Sequence, residues 1–429
     1  MRIAFYTLGC KVNQYETELL SSLFHREGFD IVPFEDEADV YVVNSCTVTA
    51  TGDSKTRKVL HRVRREHPGA LIALTGCFPQ AFPNAAELLP EANVITGSKS
   101  RHALVGAVKR SILTGERIIE IPSHDKDEKF EEMTVSSFSE RTRAFVKIED
   151  GCERYCSYCI IPKARGFIRS KPLDALKKEL FSLGENGYQE IVLVGINLSS
   201  YGKDLGLRLI DAIEAACSVE KVKRIRLGSL EPELLSDEDI LRMSQQSKLC
   251  PQFHLSLQSG CDETLRRMNR HYDTAEYSRI VDKLRECFPD CAITTDIMVG
   301  FPGETEEEFQ ASLSFAKKIS FAKAHVFSYS IREGTRAASM DGQLTNAVKE
   351  ERSRRMIRET GKTATAFLRR QIGRTVPVLF ESVQTGFGAH GYSPNYSPVV
   401  VQTDKLLTGE IHPVFIKDAT ESFCIGELI

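Results

Sequence analysis

Three cysteines within eight residues, Cys152, Cys156 and Cys159, carry the most specific chemical signal in the chain (GCERYCSYCIIP, residues 151–162). Three thiolates at this C-x3-C-x2-C spacing can hold three irons of a cubane iron–sulfur cluster and leave the fourth iron open to an outside ligand. A zinc site wants a fourth protein ligand, and no further Cys or His lies close by in sequence. Tyr158, just before the last cysteine, supplies an aromatic ring to shield such a cluster. A second set is spread wider: Cys10 in TLGCKVN, Cys46 in VNSCTV and Cys77 in LTGCFPQ, 36 and 31 residues apart. Each follows a segment that reads as a parallel strand. Parallel strands of one sheet bring their C-terminal ends to one edge, so these thiols are expected to converge, again with one iron open. The competing reading is three unrelated buried or loop cysteines. Cys217, Cys250, Cys261, Cys287, Cys291 and Cys424 match no site spacing and read as small packing residues.

Positioning two such sets takes more than one domain, and 429 residues provide for two or three. Hydrophobic residues make up 41% and charged residues 27%, which excludes a disordered or fibrous chain. Lys plus Arg number 56 against 59 Asp plus Glu, a net charge of −3, which excludes a uniformly basic coat for nucleic acid. No apolar run approaches the roughly 20 residues of a membrane helix. Met1-Arg2-Ile3-Ala4-Phe5 runs straight into a strand-like segment without a signal peptide. A cytoplasmic location with reduced thiols is expected, where a high cysteine count favours metal or redox chemistry over disulfides.

The elements follow an α/β pattern. In residues 1–115, strands are expected at 2–8, 39–44, 70–75 and 93–96, and helices at 14–26, 55–66 and 101–113. This is a parallel α/β domain. An acidic stretch (HDKDEKFEE, then Ser136 and Ser137) makes 116–138 a linker. Residues 139–370 repeat the rhythm, with strands at 144–149, 190–194, 223–227, 253–257, 293–299 and 324–328, a partial (β/α)6 barrel. Residues 371–429 read as a small all-β barrel, with strands at 376–382, 397–402, 408–415 and 422–428 and a Gly/Pro-rich connection at 385–398. In β/α arrays chemistry sits at the C-terminal strand ends. There lie Gly195 and Asn197 (VGIN), Ser229 and Glu231 (RLGSLEP) and Gln258 (SLQSG), which are candidates for close approach and hydrogen bonding to a cofactor.

C-x3-C-x-aromatic-C on the first βα loop resembles the radical S-adenosylmethionine (SAM) superfamily. The resemblance implies a 4Fe-4S cluster on Cys152, Cys156 and Cys159 whose open iron binds the amino and carboxylate groups of SAM. A low-potential electron donor then drives SAM cleavage to methionine and a 5′-deoxyadenosyl radical. Tyr158, Gly195, Asn197, Ser229, Glu231 and Gln258 become the expected SAM-side residues. TLGCKVNQYE, VNSCTVT and LTGC ahead of that loop resemble the methylthiotransferase family, and the likeness runs over essentially the whole chain. It implies a second 4Fe-4S cluster on Cys10, Cys46 and Cys77 that presents sulfur from a sulfur donor. One SAM methylates that sulfur and another yields the radical, with no catalytic protein side chain. It also implies a C-terminal barrel of the TRAM type that binds RNA.

The segment GCKVNQYE resembles the branch that acts on N6-threonylcarbamoyladenosine, next to the tRNA anticodon, at C2. The isopentenyladenosine branch tends to GCQMN and the branch acting on a ribosomal-protein aspartate to GCPKN. These remain the alternative substrates. A non-catalytic iron–sulfur RNA-binding protein is a different class of reading, and the strand-end groups Ser229, Glu231 and Gln258 argue against it.

Binding to a tRNA anticodon loop has to be reconciled with the charge. Residues 53–67 hold six Lys/Arg against two acids, 349–374 nine against three, and 163–171 four against none. Lys163, Arg165, Arg169 and Lys171 follow the cysteine triplet directly and are expected to meet phosphates. Residues 371–429 carry three Lys/Arg against six acids, so the barrel is not a basic funnel. Phe387, Tyr392 and Tyr396 are its candidates for stacking on an unpaired base.

Overall fold

Residues 1–135, 142–384, 388–403 and 405–429 are described in the computed structural model. Ser136, Ser137 and Phe387 lie outside these. The first unit runs β1 (Arg2–Thr7), α1 (Lys11–Arg26), β2 (Asp30–Val32), β3 (Val40–Ser45), α2 (Ala50–Glu66), β4 (Leu71–Gly76), α3 (Cys77–Ala81), α4 (Pro83–Glu87), β5 (Val94–Thr96), α5 (Arg101–Thr114) and β6 (Ile118–Glu120). Its sheet is parallel with strand order β2-β1-β3-β4-β5-β6. Strands buried on both faces explain the continuous apolar runs. Tyr41, Val43, Ile72 and Leu74 pack against Leu60 and Val63 of α2. On the other face Ile3, Val40, Val42 and Ala73 pack with Leu20 and Phe24 of α1 and Leu104 and Val108 of α5.

The segment expected as a linker differs from that reading. Its start adds β6 to the sheet, and its acidic stretch is pinned to the protein: Glu131 Oε2 accepts from Arg101 Nε at 2.6 Å, and Asp125 pairs with Lys99 at 2.7 Å. Phe130 and Val135 are buried. A polar composition reads as solvated, but here its carboxylates meet cations from α5 and the loop before it.

The second unit continues with β7 (Arg143–Lys147), β8 (Glu149–Asp150), α6 (Ile161–Arg165), β9 (Arg169–Ser170), α7 (Leu173–Glu185), β10 (Glu190–Val194), α8 (Leu209–Cys217), β11 (Arg224–Leu227), β12 (Ser229–Leu230) and α9 (Asp237–Ser244). It closes with β13 (Gln252–Leu255), α10 (Asp262–Arg267), α11 (Thr274–Cys287), β14 (Ala292–Val299), α12 (Glu306–Ile319), β15 (Lys323–Ser328) and α13 (Asn346–Arg369). Strands β7, β10 and β11 form one parallel sheet and β12 to β15 a second. Only Gly228 separates β11 from β12, and its N–H still bonds Leu193 O at 2.8 Å. The strands therefore follow in chain order around an open half-barrel whose edges are β7 and β15. Short β8 and β9 pair antiparallel beside it.

The last unit is a closed barrel, order β16-β17-β18-β20-β19, built from β16 (Thr375–Gln384), β17 (Gly388–Tyr392), β18 (Pro398–Val401), β19 (Ile411–Ala419) and β20 (Cys424–Leu428). β17 lies where the sequence reads as a Gly/Pro-rich connection. Its Gly391 is pressed against Leu379 O of β16, a spacing that leaves no room for a Cβ, so glycine there permits a strand and not a loop. The barrel docks on the second unit: Arg224 donates to Pro377 O at 2.7 Å, Arg226 to Pro394 O at 3.0 Å, and Arg143 pairs with Glu381 at 2.5 Å. Tyr392 and Tyr396 stack on each other at 4.4 Å, with the Arg143 and Arg226 guanidinium groups over the Tyr396 ring at 5.0 and 4.6 Å. These two tyrosines, expected as platforms for bases, are therefore used inside the joint between units.

Candidate functional site

The first cysteine set is brought together by strand register. Thr7, Asn44 and Thr75 are neighbours across β1, β3 and β4, and Ser45 pairs with Gly76. Cys46 and Cys77 follow that last pair directly, so their backbones stand about one strand spacing, roughly 5 Å, apart. Cys10 caps α1 three residues beyond β1. Gly9, at φ +112°, carries the chain past Cys46: a Cβ there would lie 2.7 Å from Cys46 Cβ and 3.0 Å from its sulfur. Asn13, fully buried, fixes the turn. Its Nδ2 donates to Leu8 O and Ser45 O, both at 2.9 Å, and its Oδ1 accepts from the Cys10 thiol at 3.6 Å.

Arg165 completes this cradle from the other unit. It is fully buried, donates from Nε to Cys77 Sγ at 3.2 Å, and from Nη2 to Asn13 Oδ1 at 2.8 Å. Glu16 holds the guanidinium through both oxygens, at 2.5 and 3.0 Å. Lys147 and Arg101 also meet Glu16, at 2.9 and 2.6 Å. Burial alone would raise the Glu16 carboxyl, but Arg165, Lys147 and Arg101 hold it down at about 2. Burial pushes the Cys77 thiol up to about 12 against the pull of Arg165, and raises Cys46 as well. Metal binding at these thiols must therefore release protons.

The triplet lies on the loop between β8 and α6, where Cys152 N bonds Gly166 O at 3.0 Å and Cys159 N bonds Cys156 O at 2.9 Å. Burial raises Cys152 and pushes Cys159 up to about 12. Arg270 donates from Nη1 to Cys156 Sγ at 3.3 Å and is clamped by Glu231 and by Tyr272 OH at 3.2 Å. Tyr158 packs with Met268, Met298, Phe301 and Tyr329 beside the loop. Asn197 Nδ2 points at Cys152 Sγ, 3.9 Å away, and its backbone N–H donates to Glu149 Oε2 at 2.7 Å. Gly195 leaves room for that carboxylate: a Cβ would stand 2.6 Å from it. Ser229 is exposed at its strand end.

Three buried acceptors here have no hydrogen-bond partner: Glu149 Oε1, Asn197 Oδ1 and Gln258 Oε1. Gln258 sits at φ +65°, so a strained backbone holds its amide in place. Burial raises the Glu149 carboxyl well above the usual range. Unpaired buried acceptors are costly, and a ligand bearing an ammonium and hydroxyls would satisfy them. The residues present therefore fit SAM. Among the described residues no three His, Cys, Asp or Glu close tightly enough for a single metal ion. Three thiols in each set, with Arg165 and Arg270 each aimed at one sulfur, suit a cluster that carries negative charge.

Two ties join the sets. α3, which opens with Cys77, packs on α6, which follows Cys159 and ends in Arg165. Arg332, past β15, bonds Thr47 beside Cys46, pairs with Asp53 at 2.8 Å and covers the Phe82 ring at 4.8 Å.

The expected phosphate contacts are corrected by burial. Only Lys163 is exposed. Arg165 belongs to the first cradle, Arg169 reaches Asp150 at 3.4 Å, and Lys171 pairs with Glu179, both fully buried. A short basic run reads as a solvated face, but β9 turns these side chains inward onto carboxylates. Basic side chains that do reach solvent include Lys55, Arg57, Lys58 and Arg62 on α2, which begins just after Cys46. Asn13, Glu16, Glu149 and Arg270 were not legible as site residues. Asn13 and Glu16 stand in the motif GCKVNQYE, but nothing in spacing tells their roles.

Comparison with known proteins adds two matching family models: "Radical SAM superfamily" over residues 146–316 and "Uncharacterized protein family UPF0004" over residues 2–97. A threonylcarbamoyladenosine tRNA methylthiotransferase of Bacillus subtilis is 37% identical, over 100% of this chain and 96% of its own length. One from Thermotoga maritima is 36% identical, over 98% and 95%. A tRNA-2-methylthio-N(6)-dimethylallyladenosine synthase of Caldicellulosiruptor saccharolyticus is 37% identical, over 87% and 81%. In fold the chain is similar to the radical SAM methyltransferase TsrM of Kitasatospora setae, with TM-score 0.61 at 13% identity over 79% of this chain and 74% of that one.

Proposed function

The chain belongs to the radical-SAM tRNA methylthiotransferases, and on that premise we propose that it converts N6-threonylcarbamoyladenosine in tRNA to its 2-methylthio form. The observation that carries the reading is the pairing of two three-cysteine sets, each at strand ends and joined by Arg165 and the α3–α6 contact. The choice of nucleoside rests on relatives of that activity at 36–37% identity over nearly full length. Relatives that make the dimethylallyladenosine product match over nearly the full length at 32% identity, or at 37% over 87% of this chain.

An unactivated adenine C2–H offers no acid or nucleophile route, so two 4Fe-4S clusters and SAM, when bound, supply the radical and the sulfur. Cys10, Cys46 and Cys77 would hold one cluster and Cys152, Cys156 and Cys159 the other. Arg165 and Arg270 each point an N–H at one sulfur and so stabilise thiolate charge. Asn197, Glu149 and Gln258 would orient SAM, Tyr158 and its apolar neighbours would exclude water, and the exposed cations of α2 and Lys163 would meet phosphates. A low-potential electron donor and a sulfur donor complete the system in the cytoplasm. Among the described residues no helix is long and apolar enough to cross a membrane.

Nucleosides of tRNA from cells lacking this protein should lose 2-methylthio-N6-threonylcarbamoyladenosine by mass spectrometry. Loss of the isopentenyl counterpart instead would overturn the substrate. In the purified protein Cys156→Ala should abolish 5′-deoxyadenosine formation, whereas Cys46→Ala should keep it and lose the methylthio product.

A further inference from the structure

We propose that Lys11 reads the carboxylate of the threonylcarbamoyl arm from within the half-barrel, an inference that rests on the substrate reading above. The half-barrel is open between its edge strands β7 and β15. Helix α1 packs on the edge strand β7. Lys11 Nζ stands 6.0 Å from the Phe145 ring centre on β7. Phe145 stands in register with Val192 of β10 and, through it, with Arg226 of β11, so Lys11 lies against this row of inner strands.

Two neighbouring cations already have carboxylate partners. Arg226 pairs with Glu190 at 2.8 Å, and Arg143 with Glu381 at 2.5 Å. Among the described residues Lys11 makes neither an ion pair nor a hydrogen bond. Among the described residues Lys11 is thus an unpaired ammonium beside the Phe145 ring. Its backbone is held because Asn13 ties the turn to β3.

Lys11 is also one residue from Cys10, so whatever it binds lies close to the first cysteine set. In adenine, C2 and C6 flank N1. A base that offers C2 to that set carries its N6 arm along the same edge, into the reach of Lys11. A terminal carboxylate there gains a charge-assisted hydrogen bond, which corresponds to about ten- to a hundredfold in affinity. An uncharged isopentenyl arm would leave the ammonium desolvated and unpaired, so the same lysine rejects it.

The test compares tRNA bearing threonylcarbamoyladenosine with the same tRNA bearing its carboxamide, on wild type, Lys11→Met and Lys11→Arg. Wild type should show a tenfold or greater rise in KM for the carboxamide. Lys11→Met should show that rise on the natural substrate and no longer distinguish the two, while Lys11→Arg restores most of the preference. Iron content, and SAM cleavage without tRNA, should match wild type in Lys11→Arg. Equal treatment of both tRNAs by wild type overturns the proposal and needs no variant. A Lys11→Met enzyme that still prefers the carboxylate overturns it, as does a rise in KM for SAM alone, which would assign Lys11 to the SAM carboxylate. A wild type that modifies only isopentenyladenosine tRNA overturns the substrate reading itself.

Discussion

The two cysteine sets are built alike and finished differently. Each has one arginine donating to a sulfur, Arg165 to Cys77 and Arg270 to Cys156, and each arginine is clamped by one glutamate, Glu16 or Glu231. Around the first set most polar groups are satisfied: Asn13 uses both Nδ2 protons and its oxygen, and three cations surround Glu16, while Gln14 Oε1 and Arg332 Nε keep no partner. Around the triplet Glu149, Asn197 and Gln258 each retain a buried acceptor with no partner. The triplet thus has the larger open polar capacity, three acceptors suited to an organic ligand, as a site that must take up and release SAM each cycle requires.

The largest test of this contrast is to remove each arginine. Arg165→Leu strands a fully buried Glu16 carboxylate and should lower stability by about 3–5 kcal/mol, read by denaturant unfolding, with iron lost from the first set. Arg270→Leu leaves Glu231, which keeps some solvent contact, and should cost less, about 1–3 kcal/mol, while lowering 5′-deoxyadenosine formation. Equal losses would erase the distinction.

The two buried glutamates should respond to pH with opposite sign. Glu16 is depressed from 4.5 to about 2, so its contribution is present above pH 4.5 and lost as pH falls towards 2. That contribution is on the order of 3 kcal/mol. Glu149 is raised, so its contribution is full below the unfolded carboxyl range and is lost as pH rises. At neutral pH Glu16→Gln should therefore destabilise and Glu149→Gln should not, as thermal melts from pH 2 to 8 would report.

Gln258→Gly should be milder still. Glycine accepts the positive φ and removes an unpaired acceptor, so the melting temperature should not fall while SAM KM rises about tenfold. The smallest effect belongs to the surface. Lys163→Ala should leave iron and stability unchanged and reduce the slope of log affinity for tRNA against log salt by about one.

Much of the order of elements was legible. Apolar runs of five or six residues between amphipathic stretches marked the main strands of the first two units within a few residues. β2 and β6 escaped because three-residue edge strands carry too little pattern, and β17 because its glycines read as a turn. The grouping of the six cysteines into two sets was legible for two reasons. The triplet is local, and the wider set follows three strands whose C-terminal ends must share an edge.

Sequence by itself determined which atoms can ligate, the order of the three units and the kind of chemistry, since these depend on residue type and short-range spacing. Tertiary structure alone decided which charges face water. Arg165, Arg169 and Lys171 look the same in sequence as Lys163, yet three are buried against carboxylates from 8 to 149 residues away. It also decided that Tyr392 and Tyr396 join units. Burial and long-range pairing are set by how sheets and helices pack, and no local spacing encodes them.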